Sequence, residues 1–243
     1  MAERAALITG GSSGIGLAIA RALGEDDYGL TISARRPEKL EAAAEALRSE
    51  GLEVLSVPAN MTQEEEVIGA VAQHRERYGR LDVLVNNAGL GIGQPMDQIQ
   101  TKHLDMQLDI NLRALIIGTR EALPLLREAG REHGKALIVN TASIAGKSGQ
   151  PWLSVYAATK AAVLNFTVAT QKEVGDAGIQ CTALAPGFVD TPMTDYIKDS
   201  VKAEEMIQPE DLAEAVRFLL RTSRNCFVPE LVFTRPAETV GSP

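Results

Sequence analysis

The residues best suited to chemistry are a tyrosine and a lysine four positions apart, Tyr156 and Lys160, with Ser143 thirteen positions upstream. A four-residue spacing places the phenol and the ammonium on one face of a helix. A free phenol has a pKa of about 10, and a nearby ammonium would lower it toward neutrality. The Ser143 hydroxyl can donate to a substrate oxygen and stabilise the charge that develops there. Together these residues suit proton transfer to a carbonyl that is being reduced.

A glycine-rich turn, residues 9–16, follows the first apolar run and precedes the first helical pattern. A bound phosphate needs backbone N–H groups at close range and a helix N-terminus behind them. Gly10 and Gly14 lack the Cβ atoms that would block this approach, and Gly16 allows close packing of the helix. A purely structural turn is the alternative. The residues predicted to hold a dinucleotide phosphate are Gly10, Ser12, Ser13, Gly14, Ile15 and Gly16.

The end of the second predicted strand indicates which dinucleotide binds. Dinucleotide folds that prefer NAD usually carry an acid here, which accepts from the ribose 2′-hydroxyl. This chain has Ala34 at that position and continues with Arg35 and Arg36. A guanidinium can hold a 2′-phosphate in bidentate fashion. We therefore expect NADP(H), with NAD(H) less favoured, bound mainly by Arg35 with help from Ser33 and Arg36. Solvated loop charges are the alternative for both arginines.

The elements that must position these residues alternate between short β-rich runs and longer helical patterns. The predicted strands are Ala5–Ile8, Leu30–Ser33, Val54–Val57, Val83–Val85, Ala136–Val139, Cys181–Leu184 and Leu231–Phe233. The predicted helices are Ile15–Leu23, Pro37–Ser49, Gln63–Tyr78, Leu104–Glu128, Leu153–Val174 and Pro209–Leu220. Most strand runs are apolar throughout, which favours strands buried on both faces of a parallel sheet. Repeated βαβ units predict an α/β fold, a doubly wound seven-stranded parallel sheet with helices on both faces.

Local signals refine this plan. Thr62 followed by Glu65 predicts a capping box before the third helix. Pro124 should kink or split the fourth. Because no linker composition divides the chain, residues 1–243 are expected to form a single domain, with a short substrate lid at 188–208 and a frayed tail at 236–243.

Composition excludes several classes of protein. Hydrophobic residues make up 45% of the chain and charged residues 23%, an ordinary globular balance. The net charge of −8 and the absence of long basic runs argue against nucleic-acid binding. No apolar run is long enough to span a bilayer, and the N-terminus lacks a signal-peptide pattern. Two cysteines and three scattered histidines predict no disulfide framework and no metal site. We expect a soluble, cytoplasmic protein.

Taken together, these motifs resemble those of the short-chain dehydrogenase/reductase family, including its 3-oxoacyl-acyl-carrier-protein reductases. The matching features are the glycine turn, the Asn-Asn-Ala-Gly run at 86–89, Ser143 and the Tyr156-to-Lys160 spacing. The resemblance covers residues 5–233 and implies a single Rossmann domain. It also implies a fourth catalytic residue, Asn111, that orders a water linking Lys160 to solvent.

The resemblance further implies which residues surround the cofactor. Asn60, where the family typically has Asp, would accept from the adenine amino group. The loop after the sixth strand would cover the nicotinamide, although a turn followed by a helix N-cap at Thr191 explains the same residues. The positions implied, beyond the turn and the arginines, are Asn60, Met61, Asn87, Ala88, Gly89, Tyr156, Lys160, Pro186, Gly187, Val189 and Thr191.

The expected function is an NADP(H)-dependent oxidoreductase that interconverts a secondary alcohol and a ketone, with Tyr156 as general acid/base. The alternative is a catalytically silent NADP(H)-binding sensor or interaction protein on the same fold. The family implies a homotetramer or homodimer. The C-terminus lacks the glycine-rich ending common in acyl-carrier-protein reductases, so that activity is not assumed. The substrate would be a small carbonyl or alcohol, and its predicted pocket walls are 90–96, 147–152, Phe188, Met193 and Tyr196.

Overall fold

The computed structural model describes residues 2–236. The strands are β1 (Arg4–Thr9), β2 (Tyr28–Ala34), β3 (Val54–Pro58), β4 (Val83–Asn86), β5 (Ala136–Thr141), β6 (Ile179–Pro186) and β7 (Glu230–Phe233). They form one parallel sheet in the order β3-β2-β1-β4-β5-β6-β7. The order reverses between β1 and β4, and ligands of such sheets bind outside the carboxyl ends of the strands at this switch point.

The helices connect these strands as the alternating pattern requires. They are α1 (Gly14–Glu25), α2 (Pro37–Ser49), α3 (Glu64–Tyr78), α4 (Thr101–Leu108), α5 (Ala114–His133), α6 (Ser154–Val174) and α7 (Pro209–Arg221). Pro37 and Pro209 occupy the first helical positions, where a missing N–H costs nothing. None of the helices in the described part of the chain is long and apolar enough to cross a membrane.

The sheet is buried on both faces. Ala6 and Ile8 of β1 pack into a core with α1, α2 and α7, whereas Leu7 between them packs into the opposite core with α3, α5 and α6. This two-sided burial explains why the strands are apolar throughout. The predicted fold class, a seven-stranded doubly wound sheet, is confirmed.

The break in the fourth predicted helix lies elsewhere than expected. Helix α5 continues through Pro124, so the predicted split there is wrong, and the predicted alternative, a kink, stays a prediction. The interruption is a π turn at Asp109–Arg113, which contains Asn111. Burial of Leu125 and Leu126 keeps α5 in place beyond the proline, and tertiary packing can offset a local propensity penalty of about 3 kcal/mol.

The predicted capping box at Thr62 and Glu65 is also wrong. Helix α3 begins at Glu64, and its N-cap Gln63 forms no side-chain capping bond. Asn60 organises the turn instead, because its Oδ1 accepts from the Thr62 N–H (3.2 Å) and its carbonyl from the Gln63 N–H (2.9 Å).

The predicted lid and tail remain predictions. Residues 188–208 contain two short 3-10 helices, Pro192–Ile197 and Ala203–Glu205, and Val189 forms a parallel bridge with Ile207. Of the predicted frayed tail, all but Pro236 lies outside the described residues.

Candidate active site

The glycine turn is shaped by contacts within the protein. Gly10 and Gly14 have φ angles of 68° and 54°, which residues with a Cβ rarely adopt. A Cβ on Gly10 would lie 2.9 Å from the Asn87 amide nitrogen, and one on Gly14 would lie 2.8 Å from the Thr191 methyl group. On Gly16 it would lie 2.5 Å from the Gly10 carbonyl oxygen. These glycines therefore allow the turn to pack closely against the segments that follow β4 and β6.

The N-terminus of α1 is open toward this turn. Its N-cap Ser13 is extended (φ −172°) and makes no side-chain capping bond. The first N–H groups of a helix lack intrahelical acceptors and attract anions. Ser12, Ser13 and Ile15 are half-buried beside these N–H groups. The residues present thus fit a phosphate-bearing cofactor.

Thr9 joins the glycine turn to the end of β4. Its Oγ1 accepts from the N–H groups of Asn87 (3.0 Å) and Ala88 (3.1 Å). The Asn87 amide donates to the Thr9 carbonyl (3.2 Å), and the Thr141 hydroxyl donates to Asn87 Oδ1 (3.3 Å). The carboxyl ends of β1, β4 and β5 are thereby fixed to one another, and half-buried Gly89 follows directly.

The structure brings Ser143, Tyr156 and Lys160 together at this edge. Ser143 follows β5, and its Oγ accepts from the Ala145 N–H (3.2 Å) and donates to the Pro186 carbonyl (3.4 Å). Lys160 Nζ lies 5.7 Å from the centroid of the Tyr156 ring. It donates to the Thr141 carbonyl at 2.7 Å. The side chain of Lys160 is thus held by the end of β5.

Burial sets the protonation of both groups. It raises the pKa of the Tyr156 phenol above its ordinary value, and the adjacent Ser143 hydroxyl lowers it only in part. Burial lowers the pKa of Lys160 from 10.5 to about 8. The expected lowering of the phenol pKa by Lys160 is not found, because loss of solvent disfavours the phenolate more than the serine favours it. A raised pKa favours the protonated form of Tyr156.

Asn111 lies in the π turn between α4 and α5, and a π turn inside a helix frequently marks a functional site. Its Oδ1 accepts from the Leu90 N–H (2.7 Å), and its amide donates to the Leu90 carbonyl (2.8 Å) and to Thr159 Oγ1 (3.0 Å). Asn111 therefore joins the segment after β4 to α6, one residue before Lys160.

Two further residues extend this attachment along α4. Gln107 Oε1 accepts from the Ile92 N–H (3.1 Å), and His103 Nδ1 is 2.9 Å from Gln94 Oε1. With Asn111, these residues follow a four-residue spacing, about 6 Å along a helix. Alternate residues of an extended segment are about 6.6 Å apart. The two spacings match, so one face of the helix holds Leu90, Ile92 and Gln94 in register. We call His103, Gln107 and Asn111 the polar ladder.

The second-strand residues differ in their surroundings. Arg35 and Arg36 are exposed, and neither forms an ion pair with a residue in the described range. Ser33 is fully buried, and its Oγ has no hydrogen-bond partner within residues 2–236. The arginines are accessible to a ligand as placed, whereas the Ser33 hydroxyl is enclosed. Its predicted help in phosphate binding remains a prediction.

The predicted adenine and nicotinamide residues lie on opposite sides of the turn. Asn60 is half-buried, and its Oδ1 already accepts a hydrogen bond from the Thr62 N–H. The neighbouring Met61 is buried. After β6, the Gly187 N–H donates to the Phe233 carbonyl (2.8 Å), and Thr194 Oγ1 donates to the Val189 carbonyl (2.6 Å).

Thr191 is the N-cap of the short helix Pro192–Ile197, which confirms the N-cap interpretation of this loop. Its methyl group against Gly14 brings the loop over the start of α1. Pro186, at the end of β6, accepts from Ser143. Whether these residues contact a cofactor remains a prediction.

Sequence reasoning missed Thr9, Gln107 and Thr141. A four-residue step back from Asn111 could have indicated Gln107, and Thr9 begins the glycine-rich turn at 9–16, but nothing in the sequence points to the Thr141 carbonyl. Within residues 2–236, no group of three or more His, Cys, Asp or Glu side chains is placed to hold a metal ion.

This sheet, with a glycine turn at the switch point and a serine, tyrosine and lysine at the same edge, has the architecture of the nucleotide-binding α/β class. The chain belongs to the short chain dehydrogenase family, whose profile matches residues 4–202. The resemblance inferred from the motifs is thus confirmed.

Relatives and solved structures agree with this assignment. An uncharacterized oxidoreductase of Staphylococcus aureus is 31% identical over 95% of this chain and 96% of its own length. The alcohol dehydrogenase of Thermococcus sibiricus, complexed with 5-hydroxy-NADP, has 31% identity and a TM-score of 0.86, covering 99% of this chain and 98% of its own. The 3-ketoacyl-(acyl-carrier-protein) reductase of Brucella melitensis, complexed with NADH, has 30% identity and a TM-score of 0.86, covering 95% and 96%.

Proposed function

We propose that this protein is an NADP(H)-dependent oxidoreductase that interconverts a secondary alcohol and a ketone. The observation that carries the proposal is the grouping of Ser143, Tyr156 and Lys160 beside the open N-terminus of α1. A proton donor and a phosphate-binding turn meet at one edge of the sheet, where substrate and dinucleotide would have to meet. The solved structures of similar chains hold NADP-type or NADH ligands, which supports the class of cofactor.

Each catalytic residue has one part in the reduction. The dinucleotide supplies a hydride when bound. Tyr156, which its raised pKa keeps protonated, gives its proton to the carbonyl oxygen. Ser143 donates a hydrogen bond to the same oxygen and stabilises its developing charge. Lys160, with a pKa of about 8, is an ammonium at neutral pH and stabilises the phenolate that remains. Oxidation of the alcohol uses the same groups in reverse.

The polar ladder supports this site through its last member. Asn111 joins Leu90 to Thr159, the neighbour of Lys160, and so fixes the position of the lysine relative to the segment after β4. A water held near Asn111 would resupply the proton from solvent. In this proposal Asn111 is a positioning residue for Lys160.

The cofactor would lie across the switch point. Gly10 and residues 12–16 would hold the pyrophosphate, and Asn60 and Met61 the adenine. Residues 87–89 would line the cleft. The nicotinamide would lie near Tyr156 and Lys160, beneath the loop formed by Pro186, Gly187, Val189 and Thr191.

NADP(H) preference rests on Arg35. Its exposed guanidinium has no carboxylate partner in the described range, and the position before it is alanine rather than an acid. Replacing Arg35 by Ala should raise the Kd for NADPH by about 10- to 100-fold, the usual weight of a charge-assisted hydrogen bond. The Kd for NADH should stay within about twofold. Calorimetry on Arg35→Ala, with Arg36→Ala and the remote Arg224→Ala beside it, measures this. An unchanged NADPH/NADH affinity ratio in Arg35→Ala would refute the assignment.

We further propose a homotetramer or homodimer in the cytoplasm. Ile116 of α5 and Val168 of α6 are 39% and 46% exposed, which suits helices that face another subunit. Cys181 and Cys226 are both free, as expected in a reducing compartment. Light scattering on the pure protein tests the assembly, and a monomeric mass would contradict it.

The reaction is tested by NADPH oxidation across a panel of carbonyls: 3-oxoacyl thioesters, 3-oxo acids, sugar ketones and diketones. We expect turnover of at least one class by the wild type and its loss in Tyr156→Phe. Wild-type turnover retained in Tyr156→Phe would refute the mechanism. NADPH binding without turnover of any carbonyl, in either direction, would favour the silent sensor.

A further inference from the structure

Exposed apolar side chains surround the candidate active site. Met96 is 72% exposed, Trp152 56%, Met193 47% and Tyr196 60%. Met96 Sδ accepts from the Ser154 hydroxyl (3.6 Å), two residues before Tyr156. The Tyr196 hydroxyl is close enough to contribute to the raised pKa of Tyr156. Large apolar groups exposed together around one site commonly mark a ligand-binding surface.

The indole of Trp152 rests against a bare stretch of backbone. A Cβ on Gly93 would lie 2.7 Å from Cε3 and 2.9 Å from both Cδ2 and Cζ3 of Trp152. Nearly equal distances to three ring atoms mean that Gly93 faces the plane of the six-membered ring. Any side chain at position 93 would displace the indole. The absence of one therefore allows the ring to lie flat on the segment after β4.

The backbone holds Trp152 firmly in this position. Its φ is 71°, an uncommon conformation for a bulky residue, which persists only where the surroundings impose it. The Gln94 N–H donates to the Trp152 carbonyl (2.8 Å), and Gln94 is itself attached to His103 of the polar ladder. The backbone on which the indole lies is thus held in place. In the same segment after β4, two residues before Gly93, Gly91 packs on the Tyr156 ring.

Two lysines of the surrounding segments are already paired with carboxylates, which weakens their attraction for an anionic substrate. Lys147 is paired with Glu230 at 2.8 Å. Lys198 is paired with Asp190 at 2.9 Å and Asp195 at 2.8 Å. Residues 90–98 contribute only Asp97, which would repel an anion. The Arg235 guanidinium lies over the Phe188 ring, 5.8 Å from its centroid.

We propose that Trp152, seated on Gly93, forms the wall of a substrate subsite that takes a flat apolar group, an aromatic ring, of an uncharged ketone or secondary alcohol. This inference rests on the proposed function, because the carbonyl carbon of that substrate would face Tyr156 and Ser143. It names the substrate class: an aryl-substituted neutral ketone, in preference to a 3-oxo acid of similar reactivity.

Binding can be tested without turnover. Trp152 is the only tryptophan of the chain, so its fluorescence reports occupancy of this subsite directly. In Tyr156→Phe with NADP⁺ present, 4-phenylbutan-2-one should change the emission in a saturable way, and acetoacetate should not. An emission that neither ketone changes, or that only acetoacetate changes, would overturn the proposal. Because Tyr156→Phe needs no chemistry for this readout, a failure here is distinct from a failure of the proposed reaction.

Kinetics provide the second arm. For 4-phenylbutan-2-one, Trp152→Ala should raise KM by about 3- to 10-fold, as loss of an aromatic pair predicts, and Trp152→Phe should restore most of it. Phe227→Ala, an exposed aromatic beside Cys181, is the control and should leave KM unchanged. A KM in Trp152→Ala within twofold of wild type, with folding intact by circular dichroism, would overturn the proposal.

Discussion

The two ends of the central sheet differ in how fully their polar groups are paired by hydrogen bonds. At the amino end, the buried carboxylate of Asp82 accepts from the Ala5 N–H (2.8 Å) and from both Nε and an Nη of Arg80 (2.9 Å each). His74 bridges Thr31 and the Arg80 carbonyl, both at 2.8 Å. Each of these groups is paired with another part of the fold.

At the carboxyl end, hydrogen-bonding capacity is left open. Lys160 has three donors, and a single acceptor for them, the Thr141 carbonyl, is found within residues 2–236. The side chain of Ser13, the N-cap of α1, makes no capping hydrogen bond to the first N–H groups of the helix. Unmet polar groups cost stability, so a fold retains them mainly where a ligand will use them. The comparison indicates that the amino end contributes stability, whereas the carboxyl end has the open polar groups that the proposed reaction would use.

The largest expected effect separates the two ends with the same substitution. Tyr156→Phe at the carboxyl end should lower kcat by about 10²- to 10⁴-fold, the usual contribution of general acid catalysis. Tyr78→Phe at the amino end removes a hydrogen bond to the Leu30 carbonyl (2.9 Å) and should cost about 1 kcal/mol of unfolding free energy with kcat unchanged. Steady-state kinetics and urea unfolding on both variants measure this. A loss of kcat in Tyr78→Phe would contradict the assignment of activity to the carboxyl end and stability to the amino end.

Acid should weaken the amino end first. Burial lowers the pKa of His74 from 6.5 to about 4. Between these values the unfolded chain binds a proton that the folded protein does not, so the stability present above pH 6.5 is lost as pH falls toward 4. The loss from this one group is roughly 3 kcal/mol, from about 1.4 kcal/mol per pKa unit.

Urea unfolding across that pH range isolates the histidine when compared with His74→Gln. The variant keeps hydrogen-bonding groups but does not titrate, so its stability should depend less steeply on pH. Identical pH slopes for the two proteins would show that His74 is not the group responsible.

Removing the charge of Asp82 should cost slightly less. Asp82→Asn keeps the shape but weakens the contacts to Arg80 and to the Ala5 N–H. A buried charge-assisted network of this kind is worth about 2 kcal/mol, discounted because Arg80 is partly solvated. Calorimetric unfolding should show the loss, while KM and kcat stay within about twofold. A comparable loss of activity would mean that the amino end also shapes the site.

The smallest effect compares two glutamines with similar roles. Gln107 at the carboxyl end accepts from the Ile92 N–H, and Gln171 at the amino end accepts from the Cys181 N–H (2.6 Å). Each Gln→Met variant leaves one backbone N–H unpaired, at a cost of about 1–2 kcal/mol. Gln107→Met should in addition raise KM about 3-fold, because small misplacements of a site segment are felt by the substrate. Equal KM values in both variants would show that the polar ladder does not position the site.

Much of the site could be predicted from the sequence because its signals are local. The Tyr156-to-Lys160 spacing fixes a shared helix face whatever surrounds it, and the glycine turn is a contiguous motif between a strand and a helix. Individual glycines also make close contacts with distant segments, which the motif alone does not reveal. Gly14 is required as much by the Thr191 methyl group, 177 positions downstream, as by any phosphate.

Local sequence signals that compete with packing predict the structure less well. Pro124 lies inside α5 because the apolar residues after it are buried, and the break at Asn111 follows from its bonds to Leu90 and Thr159. The capping box failed because Asn60 supplies the turn that precedes α3. For Pro124 and Asn111 the local structure is set by tertiary contacts. For the capping box it is set by Asn60, which accepts from the Thr62 N–H that Glu65 was expected to bind.

The fold class, the order of the elements, the family and the residues that meet at the carboxyl edge could all be predicted from the sequence. These depend on hydrophobic periodicity and on contiguous motifs, which act over short stretches of chain. The pKa shifts of Tyr156 and Lys160, the register of the polar ladder and the contact of Trp152 with Gly93 became visible only in the folded structure. Those properties depend on burial and on pairs distant along the chain, because desolvation and hydrogen bonding are set by whatever the fold places alongside each group.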